Sequence, residues 1–170
     1  MKIRNGHVTN SSSSSFVLAF KDQADVGEFR NYCEEWGYEQ FYEYVKSWIK
    51  PLCDEDKKRI VSEMRNIYEV QQCNREEMVK EYIKEEDYPS YREYCIARSE
   101  LIKTEEFKSK MEAKLQQTDF YKKKKRIWKA EYIIDETIWD TDGGLMEWAI
   151  RNGFVEREMH KYCIYSIAIG

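Results

Sequence analysis

The apolar residues of this chain keep two different periods, and where each period runs limits the fold more than any other feature. Near the start, Phe16-Val17-Leu18-Ala19-Phe20 is a short apolar run of strand type behind a polar tract. From Asp22 the spacing becomes helical and stays so to about residue 119. It then falls to two: Trp128, Ala130, Tyr132, Ile134 and Ile138 alternate with Lys129, Glu131, Ile133 and Asp135. Tyr162 to Ile169 closes the chain as a strongly β-forming run. Strands need partners to be stable. The expectation is an α+β fold, mostly helical, with a small, about three-stranded sheet from residues 15–20, 129–139 and 161–169. The chain start pairs with the chain end within a single domain of 1–170, and a helical lobe of about 22–119 is inserted between them.

The helical stretch divides at its own punctuation. Val26, Phe29, Cys33 and Trp36 form one stripe, ended by Gly37. Phe41, Tyr44, Val45, Trp48 and Ile49 form a second, stopped by Pro51. Asp54 opens a third helix carrying Ile60, Val61, Met64, Ile67 and Tyr68. Asn74 with Glu77, and Ser90 with Glu93, read as capping boxes, and Thr104 caps a helix with Phe107, Met111 and Leu115. Ser11 to Ser15 read as a loop leading into the first strand, and Leu145 to Ile150 as a short helix.

With thirteen Tyr, seven Phe and five Trp, the chain is too aromatic for a solvated coil. Five cysteines without a C-x-x-C pair read as reduced thiols of a cytoplasmic protein rather than a disulfide framework. No apolar run approaches the roughly 18 residues of a membrane span. The net charge of −4 argues against a general nucleic-acid binder. The charge is uneven, however. Residues 22–119 carry 24 acidic and 16 basic side chains, and Lys122-Lys123-Lys124-Lys125-Arg126 follows directly.

The tract Arg4-Asn5-Gly6-His7-Val8-Thr9-Asn10 followed by Ser11 to Phe16 resembles R-x-G-F-V-S-N-S-S-S-S-S-F. That tract recurs at the N-termini of assorted uncharacterised bacterial and phage proteins. His7 stands where it has Phe, and Thr9 where it has Ser. The resemblance implies a bacterial or phage setting and brings no activity with it.

Enzyme signatures are sparse. Asp135, Glu136, Asp140, Asp142 and Glu147 could offer oxygen ligands to a divalent metal, with Asp140, Asp142 and Glu147 the candidate ligands, but turn and cap roles account for Asp140 and Asp142 equally well. No nucleophile elbow, P-loop or dinucleotide-binding glycine motif occurs. His7 and His160 carry no local signature, and no cofactor is expected.

Binding chemistry is better represented. Lys122, Lys123, Lys124, Lys125 and Arg126 could contact phosphates, with Tyr121 and Trp128 beside them to stack on bases. Glu76, Glu77, Glu85, Glu86 and Asp87 form acidic patches that could meet a basic protein surface. Trp36 and Tyr42 belong to an aromatic-rich segment that serves either a core or an interface. The first expectation is a small non-catalytic protein-binding module. It would be an inhibitor of a host defence complex, carried by a phage or mobile element and acting through an acidic and aromatic helical surface. A nucleic-acid-binding accessory protein using Lys122–Arg126 is the alternative, and a metal-dependent enzyme using Asp135–Glu147 is the third.

Overall fold

The computed structural model describes residues 13–139 and 152–169, with the side chains of Ser13, Trp139, Ala168 and Ile169 left aside. The chain forms two compact units. One joins the chain up to Cys53 to the chain from Lys129; the other is Asp54–Trp128.

The first unit is built on strand β1 (Ser13–Phe20). It pairs antiparallel with β3 (Tyr132–Trp139) on one side and with β4 (Cys163–Ile169) on the other. Leu18 faces Ile134 across one ladder and Cys163 across the other, past a bulge between Val17 and Leu18. The two ends of the chain therefore meet edge to edge. A two-residue edge strand, β2 (Lys50–Pro51), pairs with β3 and gives the order β2-β3-β1-β4. The sheet thus has four strands where about three were expected. β2 is too short for a periodicity to register, and Pro51 is tolerated because it lies at the edge.

The last three serines are not a loop. Ser13 to Ser15 belong to β1, opposite Trp139, Ile138 and Thr137. The Ser15 hydroxyl lies 2.8 Å from that of Thr137, and Ser14 is fully buried. Partner strands on both sides draw the serines into the ladder.

Phe16, Leu18 and Phe20 point to one face, against Val26, Phe29 and Cys33 of α1 (Gln23–Glu35) and Phe41 and Val45 of α2 (Glu39–Val45). Val17 and Ala19, on the opposite face, are also buried. This is why the run is continuously apolar rather than alternating. The hydroxyl and carboxylate caps act early: Asp22 accepts from the Asp25 N–H at 3.0 Å, which holds the Asp22 carboxyl below its usual range. α1 ends in a Schellman turn. Tyr38 N–H bonds the Cys33 carbonyl at 2.7 Å, Gly37 N–H bonds that of Glu34 at 3.5 Å, and Gly37 takes φ +77°. The expected lobe of 22–119 thus divides, because α1 and α2 pack on the sheet.

The second unit contains α3 (Asp54–Ile67), prolonged by a π turn at Tyr68–Gln72, then α4 (Arg75–Lys80) and a 3-10 turn at Glu85–Asp87. α5 (Tyr91–Leu101), α6 (Glu105–Leu115) and α7 (Phe120–Lys129) follow. Its buried residues include Ile60, Met64, Tyr68, Met78, Phe107, Met111, Leu115 and Ile127. Ser90 and Thr104 cap α5 and α6 as expected, accepting from the N–H groups of Glu93 and Phe107. Asn74 does not. It takes φ 54°, a left-handed conformation that Asn tolerates, and makes no side-chain cap.

The stretch after residue 119 also departs from expectation. Trp128 and Lys129 end a helix, and the strand begins only at Tyr132. Phe120 and Ile127, one face of two helical turns apart, are both buried and fix that helix; the period-two signal at Trp128 and Ala130 was accidental. A short α8 (Phe154–Glu158) precedes β4.

Candidate functional site

The acidic patches resolve into paired and open carboxylates. Glu76 is bound by the Arg98 guanidinium, Glu77 lies 2.6 Å from Lys80, and Glu86 lies 3.8 Å from Lys84. Glu105 pairs with Lys108 at 2.8 Å, and Glu106 accepts from the Tyr82 hydroxyl at 3.0 Å. Glu76 and Glu77 are thus largely neutralised where they stand. Glu85 and Asp87 have no cation within 4 Å among the described residues.

Those two carboxylates sit on the turn that packs against α5. α5 is unusual: none of its residues is buried. Tyr94 meets the Tyr88 ring at 5.9 Å, and Arg98 ties the helix to Glu76 of α4. Tyr91 and Ile96 are left 67% and 52% exposed, with exposed Cys95 between them. Helical spacing sets Tyr94, Ala97 and Leu101 on one half-buried stripe of α5, and Tyr91 and Ile96 off it. The signal for the pair was present in the sequence, since both are large apolar residues off that stripe.

The aromatic candidates separate. Tyr42 packs on the core of the sheet unit, its ring 5.8 Å from Phe29. Trp36 lies beyond the end of α1 and is 62% exposed, its ring 6.1 Å from Tyr32. Trp36 and the Glu85–Asp87 patch lie in different units.

Lys122 to Arg126 all fall on α7, which carries no carboxylate. Lys123 lies 3.6 Å from Asp119 and 5.6 Å from the centre of the Tyr68 ring. Lys124 lies 5.6 Å from the centre of the Tyr121 ring. Lys122 and Lys125 are exposed.

A cleft of about 110 Å³ in the helical unit is lined by Arg65, Glu69, Arg75, Phe107, Lys108 and Met111, among others. Its guanidinium groups are already engaged: Arg65 binds Glu69 at 2.7 Å and Glu112 at 2.9 Å, and Arg75 binds Glu69 at 3.3 Å. The cleft is braced by ion pairs rather than open for a charged ligand.

Of the remaining candidates, Asp140, Asp142 and Glu147 lie outside the described residues, as do His7, Ser11, Ser12 and Leu145 to Ile150. Asp135 and Glu136 are on β3, opposite Val17 and Phe16. His160 is exposed, with Nδ1 3.0 Å from the Arg157 carbonyl oxygen. Among the described residues no three His, Cys, Asp or Glu side chains gather as a metal site. No helix among them is long and apolar enough to cross a membrane. Comparison with protein-family models, curated proteins and solved structures finds no match to this chain.

Proposed function

We propose that the chain is a non-catalytic protein-binding module whose docking face is α5 with the Glu85–Asp87 turn. The observation that carries this reading is the helix itself: none of its side chains is fully buried, yet it presents Tyr91 and Ile96. Exposed tyrosine and isoleucine on a preformed helix are the material of an interface core, because they lose little side-chain entropy on docking and bury much apolar area. The open carboxylates of Glu85 and Asp87 at its rim favour a partner with a basic surface and would speed the encounter. In this reading the partner is a larger complex, and the N-terminal tract supports a phage or mobile-element inhibitor acting on a host assembly.

The test is affinity capture from a bacterial lysate with the intact chain as bait. A specific partner should be retained by the unaltered chain and lost with Tyr91→Ser/Ile96→Asp, and its retention should weaken as salt is raised. Retention of the same partner by that variant overturns the reading.

A further inference from the structure

We propose that the outward arc of α7 binds single-stranded nucleic acid. The inference rests on a different helix from the protein-docking face and stands apart from it.

The argument begins with the rotation of the helix. Phe120 and Ile127 are buried and set the inward side. At 3.6 residues per turn, Trp128, Tyr121, Lys125 and Lys122 then follow one another around the outward side. Tyr121 and Trp128 are exposed at one margin of that arc, and Lys125 and Lys122 at the other. The two aromatic rings are seven residues apart, about 10 Å along the axis.

The charges on this arc are not spent inside the fold. α7 contains six basic residues and no acidic one. No carboxylate among the described residues lies within 4 Å of the Lys122 or Lys125 ammonium group; Lys123 is the lysine that Asp119 meets. The carboxylates of α4 and α6, by contrast, are largely paired with lysines and arginines of the helical unit. Lys122 and Lys125 therefore stay unneutralised despite the acidic balance of the chain.

Unneutralised lysines attract a phosphate backbone and gain from counterion release. Exposed aromatic faces beside them add stacking, which needs unpaired bases. A duplex keeps its bases inside and would leave Tyr121 and Trp128 unused. A lipid surface would require the apolar side of the helix to be free for insertion. Here that side is Phe120 and Ile127, already buried within the unit.

The experiment is fluorescence anisotropy of a labelled oligothymidylate with the full chain, from low salt upward. Binding should weaken with salt at a log–log slope of about −0.7 per phosphate contacted. Lys122→Glu/Lys125→Glu should weaken binding by about tenfold or more and flatten that slope. Trp128→Ala should weaken it by about tenfold, and Trp128→Phe should restore most of the loss. Tyr91→Ser/Ile96→Asp should leave it unchanged. Circular dichroism confirms that each variant is folded. No binding at low salt overturns the proposal, as does unchanged binding by the Lys122→Glu/Lys125→Glu variant. Equal affinity for a duplex of the same length, or binding to anionic vesicles or polyglutamate without binding to the oligonucleotide, overturns it too.

Discussion

Tyr38 donates its phenolic hydrogen to the Glu158 carboxylate at 2.7 Å, across 120 positions of sequence. Tyr32 donates to the Glu158 carbonyl oxygen at the same distance. The far ends of the sheet unit are thus fastened by groups that bond only while protonated. The hydrogen bond to Glu158 raises the Tyr38 pKa above its ordinary value. Burial raises those of Tyr32 and Tyr162. Their contribution is fully present below the unfolded tyrosine value of about 10 and is lost as pH rises through the folded values. Melting followed against pH should show stability falling above about pH 10, with tyrosinate absorbance appearing late for these residues. Tyr38→Phe should start less stable and lose less over the same range.

Phe29 sits at the centre of the aromatic cluster, 5.0 Å from both Phe20 and Tyr162 and 5.8 Å from Tyr42. It is fully buried. Phe29→Ala removes the rings' common partner and should cost about 3–5 kcal/mol in chemical denaturation. A loss below about 1 kcal/mol would mean that the cluster collapses onto the space.

Thr104 closes the start of α6, accepting from Phe107 N–H at 3.3 Å and donating to the Leu101 carbonyl at 2.8 Å. Thr104→Ala should destabilise by about 1 kcal/mol, and Thr104→Ser should recover most of it. Urea melts of the three proteins give the comparison directly.

The thiols should separate in a labelling time course at neutral pH. Cys53 and Cys95 are exposed, while Cys33, Cys73 and Cys163 are buried. Burial, reinforced by Glu39 and Glu34, pushes the Cys33 thiol up to about 12, and burial also raises Cys73. Two thiols should react early and three only on unfolding. Cys53→Ser/Cys95→Ser should show no early phase.

Ile96 should behave as a surface residue. It is 52% exposed on a helix with no fully buried residue. Ile96→Ser should therefore leave stability within about 0.5 kcal/mol of the unaltered chain. Any larger loss would show that Ile96 belongs to a core, and would remove it from the proposed docking face.

What could be read from the sequence follows from how local each signal is. Phe16–Phe20 and Tyr162–Ile169 are β-forming runs with no partner nearby, so their meeting was forced by the need of strands for one another. Ser90 and Thr104 were legible because a cap is settled within four residues. Asn74 was not, because its left-handed backbone, φ 54°, is not written in the Asn-x-x-Glu pattern that suggested a cap. α7 was hidden because its inward side shows only Phe120 and Ile127, with Lys123, Lys124 and Arg126 filling the turns between. At the candidate surfaces, the lysines were visible as a run, but that Asp119 meets Lys123 and leaves Lys122 and Lys125 without a carboxylate neighbour among the described residues was not. Tyr42 and Trp36 look alike in sequence; only the packing of Phe29 against Tyr42 tells them apart. Tyr91 and Ile96 were passed over for the same reason, since exposure is decided by what the other helices leave uncovered.

β1 lies between two strands that are both translated long after it. Its partner across one ladder, Tyr132 opposite Phe20, is synthesised about a hundred residues later, and β4 later still. At ribosomal speeds of about 5–20 residues per second, that is roughly 5–20 s with an apolar strand bare on both edges. Asp54–Trp128, with its own buried residues, can consolidate during this wait. Strand-edge aggregation through Phe16–Phe20 is thus most favoured before Tyr132–Trp139 and Cys163–Ile169 have emerged.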